Sequence, residues 1–303
     1  MSAPAPAVAR PQRSDALLLT VGLMAVSTSG PLMAATAVPA LAIAFWRNAL
    51  AGAVLVPAVL LTARAELRGL TGRERRLAAL AGLLLALHFG TWVPAVTLTS
   101  VASATALVAC QPVWAALIAR WRGEHVTRRT WLGIAVAVAG AALLTGADLQ
   151  VSGDALLGDG LAVLGGVFSA AYMIAGGEVR RSVSTTTYTA LCYSVCAVLL
   201  LVVCVAGRQS LSGYAAEDWL KLVGLTAGAQ LLGHSLFNRV LRTVSPTVVS
   251  MTVLLEIPGA ALLAAVLLDQ QPPLLALPAA VLLLAGLVIV VRAGSGEPSV
   301  PVE

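Results

Sequence analysis

An acidic side chain, Glu256, stands in the middle of a long apolar run of this sequence, within the segment LLEIPG. An ionised side chain inside a membrane helix raises the free energy of insertion by about 2.5 to 3.5 kcal/mol, so it is expected to face the interior of a helix bundle. There it could exchange a proton or bind a cationic solute. A structural alternative is a protonated Glu256 that donates to a backbone carbonyl freed by Pro258, because proline has no N–H.

A basic side chain, Arg47, lies in another apolar run, between Trp46 and Asn48. Its guanidinium is always charged and presents a planar fork of N–H donors that matches a carboxylate. Arg47 is therefore predicted to hold the carboxylate of a solute or to pair with Glu256. The alternative is an arginine whose long side chain reaches the outer interface of the membrane.

Two histidines, His88 and His234, lie in separate apolar runs and belong to the residue type that titrates near neutral pH. Residues four positions apart share a helix face, so Trp92 is expected beside His88 and Asn238 beside His234. The sequence thus predicts a polar cavity that is lined from two helices and offers an indole and an amide to a solute. Each histidine could instead be a structural hydrogen-bond partner.

Three prolines, Pro31, Pro112 and Pro258, interrupt apolar runs that are long enough to be helices. Each interruption is predicted to leave backbone groups available to a solute or to act as a hinge. Tyr172, in a further run, adds a hydroxyl group that could line the same cavity. Static kinks and hydroxyl-to-backbone hydrogen bonds are the alternatives.

The elements that must position these side chains are membrane helices. Of the 303 residues 59% are apolar and 11% are charged, and the mean hydropathy of +0.91 excludes a soluble globular domain. A helical span needs about 20 apolar residues. Runs of about this length lie at 16–35, 40–62, 77–97, 100–121, 130–146, 159–177, 185–206, 219–241, 246–268 and 273–291. The sequence therefore predicts an all-α integral membrane protein with ten transmembrane helices.

The distribution of basic residues predicts the orientation in the bilayer. With the N-terminus in the cytoplasm, all 19 Lys and Arg residues except Arg47, Arg208 and Lys221 fall on the cytoplasmic side. This is the positive-inside pattern, so both termini are predicted to be cytoplasmic, and the bacterial inner membrane is the predicted location. Lipid, not nucleic acid, is the expected partner despite the net charge of +5. The four cysteines show no metal-ligand spacing, so no cofactor is predicted, and the oligomeric state stays open.

The chain matches itself when it is shifted by 146 positions, the difference between residues 88 and 234. The pairs that coincide are His88 with His234, Pro112 with Pro258, and Ala139–Gly140 with Ala285–Gly286. Five spans per copy is an odd number, so the second copy must enter the membrane from the opposite side, which predicts two inverted five-helix repeats. The predicted parts are a disordered cytoplasmic N-terminus (1–15), a first repeat (16–146), an external linker (147–158), a second repeat (159–292) and a cytoplasmic tail (293–303).

Three segments carry a further signal: FWRNALAGAVLVP, LTSVASATALVACQPVWAALIARWRGEHVTRRTWLGIAVAVAGAALL and FNRVLRTVSPTVVSMTVLLEIPGAALLAAVLL. Together they resemble the EamA-type members of the drug/metabolite transporter superfamily. The resemblance implies a duplicated five-span fold and transport of amino acids, metabolites or drugs. The loop LDQQPP and the extra residue between Glu256 and its proline depart from the family pattern, so the resemblance does not name a solute.

The predicted function is that of a secondary active transporter with a central site at the repeat interface and alternating access. Proton-coupled export of a small metabolite, amino acid or amphipathic drug is favoured by Glu256 and the histidines. Facilitated uptake or exchange without protons is the alternative. A membrane-embedded enzyme is a remote one, because the sequence has no HExxH, GxSxG or phosphate-cradling motif beside these residues.

Overall fold

The structure, a computed structural model, describes residues 13–99, 101–145, 153–267 and 275–294, and these residues are helical with short connections. The first half of the chain forms α1 (Arg13–Ser27), α2 (Ser29–Ala34), α3 (Ala40–Thr62), α4 (Arg64–Gly69), α5 (Gly72–Leu98), α6 (Val101–Ala109), α7 (Gln111–Trp121) and α8 (Arg128–Thr145). The second half forms α9 (Gly153–Arg180), α10 (Thr185–Ala206), α11 (Ala216–Leu225), the π-helix Thr226–His234, α12 (Ser235–Val240), α13 (Pro246–Val253), α14 (Glu256–Leu267) and α15 (Ala276–Gly294).

Within the described ranges, five helical stretches are long and apolar enough to cross a membrane, and three shorter apolar helices accompany them. The long ones are 13–33, α3, α5, α9 and α10, and the shorter ones are 107–121, 246–260 and 277–293. The helices α3 and α10 have the bounds that the apolar runs predict. One difference is that α9 begins at Gly153, inside the stretch predicted as an external linker, with Asp154 in its first turn.

The fifth and tenth spans, α8 and α15, pack against each other through glycines. A Cβ atom on Gly286 would lie 2.5 Å from the carbonyl oxygen of Gly133, and one on Gly140 would lie 3.0 Å from that of Ala279. The shift of 146 positions places Gly133 on Ala279 and Gly140 on Gly286, so the two contacts are equivalent in the repeat. Because residue 133 meets 286 while 140 meets 279, the two helices run antiparallel. The predicted inverted repeat is thus confirmed by contacts that exchange between its copies.

The other spans pair by the same rule. The third span of one half packs on the first span of the other, because α5 contacts α9 while the π-helix and α12 contact α1. The second and seventh spans, α3 and α10, contact each other. The polar faces of the two halves therefore meet in the middle of the bundle.

The eighth span departs from its repeat counterpart over the π-helix Thr226–His234. The equivalent stretch 80–88 in the third span belongs to the regular helix α5. A π-helical segment is rare and is frequently found at functional sites. It carries Gln230 and ends at His234, two of the polar residues of the bundle interior.

Each end of the bundle has a hydrogen bond between a connecting-loop hydroxyl and a carboxylate of the opposite half. At one end Thr36 Oγ1 donates to Asp218 Oδ1 at 2.8 Å. At the other end, which carries most of the arginines and is called the arginine-rich end, Ser182 Oγ donates to Glu74. A shift of 146 places Thr36 on Ser182 and Asp218 two residues from Glu74. The repeat therefore extends to the contacts that close the two ends.

A second carboxylate, Glu66, also holds the arginine-rich end together. Ser184 N donates to Glu66 at 2.6 Å, and the hydroxyls of Ser184 and Thr187 donate to the same carboxylate. Partial burial raises the pKa of Glu66, but these hydrogen bonds lower it more, so the pKa of this carboxyl lies below its ordinary value. The contact ties α4 to the first turn of α10.

Acid is expected to weaken this contact. A lowered pKa in the folded protein contributes stability at pH values above about 4.3, the ordinary value for glutamate, and the contribution is lost as the pH falls through the lowered pKa. We expect Glu66→Gln to reduce stability by about 1 kcal/mol at pH 7, after allowance for solvent screening. Thermal unfolding in detergent should show this difference shrinking towards pH 3. The control is Glu217→Gln at the opposite end, which should change little, since Glu217 is largely exposed.

Candidate solute-binding and coupling site

A polar cavity lies at the centre of the bundle, between the two halves of the chain. It leaves about 30 Å³ for the centre of a water molecule. Since one water needs roughly 10 to 15 Å³ on this measure, the cavity has space for about two waters. Its polar and indole-bearing residues are Ser29, His88, Trp92, Thr105 and Gln111 from the first half and Ser169, His234 and Glu256 from the second.

The three predicted prolines each follow a helix break beside this cavity. Pro31 follows the break between α1 and α2, Pro112 the break between α6 and α7, and Pro258 the break between α13 and α14. The residues that begin α2, α7 and α14 are Ser29, Gln111 and Glu256, and all of them line the cavity. The breaks therefore place polar side chains where the sequence is otherwise apolar.

The two histidines face the cavity from opposite halves, as their equivalent positions predict. His88 Nδ1 lies 2.9 Å from the carbonyl oxygen of Gly165, so this nitrogen carries the proton and donates it. The His88 ring is stacked on Trp92 at 5.7 Å with 8° between the planes. His234 meets the ring of Phe89 edge-on at 5.9 Å. An aromatic wall thus connects the histidines.

Glu256 lies in the first turn of α14 with its side chain on the cavity wall. Its carboxyl group forms no hydrogen bond with the described residues, so the structural alternative of a bond to a freed carbonyl is not what this structure contains. The charge that acts on it is that of Arg47. A carboxylate in this setting is available to a proton or to a cationic group of a solute.

Arg47 is fully buried, with 0% of its surface exposed, and does not reach the outer interface. Its Nε donates to Gln230 Oε1 at 2.9 Å, and Nη1 lies 3.4 Å from Ser29 Oγ. Gln230 in turn donates to Asn48 Oδ1 at 3.0 Å. The guanidinium carbon lies 4.3 Å from the centre of the Phe89 ring, a cation–π contact. Arg47 therefore sits directly behind the cavity wall, beside the π-helix.

Tyr172 and Asn238, which the sequence also predicts as cavity residues, contact each other instead of lining the cavity. Tyr172 Oη donates to Asn238 Oδ1 at 2.9 Å, and the Asn238 amide lies 3.4 Å from Tyr193 Oη. Arg180 Nε donates to the backbone carbonyl oxygen of Asn238 at 3.1 Å. These two residues tie α9 to α12, and a role of theirs in solute binding stays a prediction.

Gln111 and Thr105, two polar residues of the cavity, escaped the sequence analysis. Ser169 Oγ donates to Gln111 Oε1 at 2.8 Å across the two halves, and both line the cavity with Thr105. The available signal was a glutamine directly before Pro112 in an apolar run. Gln230, the partner of Arg47, was likewise a buried amide in a predicted span.

A larger cavity opens at the arginine-rich end and has a volume of about 310 Å³ on the same measure. It lies against α7, α8, α9, α13 and α15, and its charged residues are Arg122, Glu124, Glu178, Arg181 and Arg242. Glu178 pairs with Arg122 at 3.0 Å and with Arg181 at 3.3 Å. On α7, Gln111 of the central cavity and Ala115 of this one are a single helical turn apart, about 6 Å. A thin layer of side chains separates the two cavities.

Among the described residues, no group of three or more His, Cys, Asp or Glu side chains could hold a metal ion.

The fold and the site define a multi-pass α-helical membrane protein with an internal repeat and a polar centre. The EamA-like transporter family matches residues 14–146 and 156–292, so the chain belongs to that family, as its resemblance predicts. One solved structure, described only as "Crystal structure of protein", has a TM-score of 0.77 at 19% sequence identity and covers 94% of this chain and 98% of its own. At that identity the likeness concerns the fold alone. None of the curated proteins matches the chain.

Proposed function

We propose that the protein is a secondary active transporter that exports a small metabolite, an amino acid or an amphipathic drug across the bacterial plasma membrane in exchange for protons. Membership of the EamA-like transporter family supports transport of a small solute. The observation that carries the coupling is Glu256, a carboxyl group on the wall of a small cavity between the two repeats, at a break in its span. This is where inverted-repeat transporters place solute and coupling ion.

Glu256 is the proposed site of competition between proton and solute. When it is ionised, it attracts a cationic group of the solute from the cytoplasm. A proton that arrives from outside neutralises the carboxylate and releases the solute. The absence of a hydrogen-bond donor to Glu256 among the described residues favours this exchange, because no fixed partner has to be displaced.

Alternating access is the proposed route. The cavity at the arginine-rich end is separated from the central cavity by about one helical turn, so a small rearrangement of α7, α9 and α13 would join them. The breaks before Pro31, Pro112 and Pro258 are the proposed hinges. The inverted repeat supplies an equivalent rearrangement towards the other side.

The arginine-rich end is the proposed cytoplasmic end, with both termini on that side, following the positive-inside pattern. An alkaline phosphatase fusion at the C-terminus tests this orientation. The fused enzyme should be inactive in cells, whereas a fusion in the loop after α10, at the opposite end, should be active.

The experiment for coupling uses purified protein in liposomes that contain a pH-sensitive dye. Pooled amino acids and amphipathic amines are added, and solute-dependent proton movement is followed. Wild type should move protons with the solute, and Glu256→Gln should bring this signal down to that of empty liposomes. The matched control is Asp159→Asn on α9, a carboxylate in a span that does not line the central cavity. It should retain most of the signal.

Two outcomes would contradict the proposal. In the first, wild type moves solute without moving protons, and Glu256→Gln has the same solute flux. The protein would then be a facilitator and Glu256 a structural residue. An equal loss in both variants would assign the effect to folding and not to the site.

A further inference from the structure

Two buried N–H donors beside the central cavity lack an acceptor within the part of the chain that the structure describes. They are Nη2 of Arg47 and Nε1 of Trp92. The exposed fractions are 0% for Arg47 and 6% for Trp92. Buried polar atoms in native proteins are almost always hydrogen-bonded, so two exceptions at one place need a cause. A ligand that supplies the acceptors is such a cause.

One donor lines the cavity, and the other lies directly behind the same wall. Trp92 lines it directly. The guanidinium of Arg47 lies over Phe89, whose ring centre is 6.5 Å from that of Trp92. Nη1 of Arg47 is 3.4 Å from the hydroxyl of Ser29, which lines the cavity at the break between α1 and α2. A shift of Ser29 at that break would open the guanidinium to the cavity.

The same cavity contains an acceptor without a donor. The Glu256 carboxyl group lines it and makes no hydrogen bond to a residue in the described ranges. None of the ion pairs formed by those residues joins Arg47 and Glu256. Nη2 of Arg47, behind one wall of the cavity, and the Glu256 carboxyl group, on another wall, therefore both lack a hydrogen-bond partner among the described residues.

We propose that the solute is a zwitterion whose carboxylate binds Nη2 of Arg47 and Nε1 of Trp92 and whose ammonium group binds Glu256. The proposal rests on the proposed function in taking this cavity as the solute site. Part of the remaining lining is apolar, with Met173, Phe237 and Val253, and this part suits a small apolar side chain. A small apolar α-amino acid fulfils all three conditions. The cavity must widen to admit it, and helix breaks adjoin both charged walls.

The first test compares three probes that share the branched side chain of valine. L-valine carries both charged groups, isobutylamine lacks the carboxylate, and 3-methylbutanoate lacks the ammonium group. Binding to the full chain in lipid nanodiscs is measured by calorimetry, which avoids passive leakage of the neutral forms. L-leucine and L-phenylalanine are tested with their own amines and acids. For at least one set, the amino acid should bind about tenfold or more tightly than either fragment. If in every set the amine binds as tightly as the amino acid, or no amino acid binds, the proposal is wrong.

The second test removes a single donor. Trp92→Phe keeps an aromatic ring against His88 and removes the N–H together with part of the indole, a loss of volume that the control below shares. Binding of the amino acid and of its acid should weaken about tenfold, while binding of the amine should not change. Trp114→Phe is the matched control, since Trp114 Nε1 is also buried without a partner but does not line the cavity. Equal weakening of acid and amine in Trp92→Phe would overturn the assignment.

The third test addresses the opposite charge. Glu256→Gln should weaken binding of the amino acid and the amine and leave binding of the acid unchanged. Thermal unfolding of each variant verifies that it is folded. Should the amino acid bind as proposed but not be transported, the transport function fails and this inference stands. Should amines without a carboxylate be exported while no amino acid is bound or exported, transport stands and this inference fails.

Discussion

The Gly286→Val variant is expected to lose about 3 kcal/mol of stability, at the upper end of the range for overpacked sites. A Cβ atom at this position would lie 2.5 Å from the Gly133 carbonyl oxygen and 2.7 Å from Ala137 Cβ. Ordinary contacts of this kind are about 3.5 to 4.0 Å, and backbone cannot move aside as a flexible side chain does. The helices α8 and α15 would have to separate. The measurement is the monodisperse yield in detergent together with the unfolding temperature.

Gly224→Val is the control for this prediction. Gly224 is also a helix glycine, in α11, but a Cβ atom there would meet nothing within 4 Å. Both substitutions raise the intrinsic helix propensity in the same way, because valine ranks above glycine, so a difference between the two variants reports on packing. A Gly286→Val protein as stable as Gly224→Val would mean that α8 and α15 do not approach as closely as described.

The Arg47→Met variant is expected to lose about a hundredfold in solute binding and transport while its unfolding temperature stays the same or rises. Burying a guanidinium with an unpaired N–H group is unfavourable, and a well-packed apolar residue of similar volume often stabilises such a site. The lost bonds to Gln230 and Ser29 offset part of that gain. A hundredfold loss corresponds to about 2.7 kcal/mol, within the range for hydrogen bonds to a charged group. Calorimetry and liposome flux give the first quantity, and thermal unfolding gives the second.

Arg47→Lys separates charge from geometry. Lysine keeps the positive charge but has no planar fork, so binding of a carboxylate should be only partly restored. A collapse of folding in both variants would contradict the functional reading and make Arg47 a structural residue. Full activity in Arg47→Met would remove it from the site altogether.

The spans were predictable because the bilayer imposes a length and an apolar composition on each of them. The agreement is closest for α3 and α10, which are uninterrupted helices. The repeat was predictable from a few scarce residues. One pair of them, Gly140 and Gly286, lies where α8 and α15 approach each other most closely. Membrane helices approach closely through small residues. Glycine at both equivalent positions therefore allows the same close helix contact in each copy.

The candidate site was predictable in part. His88, His234, Trp92 and Glu256 line one cavity because residues in equivalent spans meet at the axis that relates the repeats. Tyr172 and Asn238 were predicted to join them, yet the structure bonds them to each other. Helical periodicity places a residue on a face, but the partner of a polar side chain depends on which helix packs there.

The amino-acid sequence by itself determined that this chain is a membrane protein of ten apolar segments in two inverted copies. The hydropathy and charge of a segment follow from its residues alone, and the bilayer selects spans by these two properties. Only the tertiary structure decided which segments pair, where the eighth span becomes a π-helix, and that Arg47 binds Gln230 instead of Glu256. These outcomes depend on distances between residues far apart in the chain, and such distances exist only once the helices have packed.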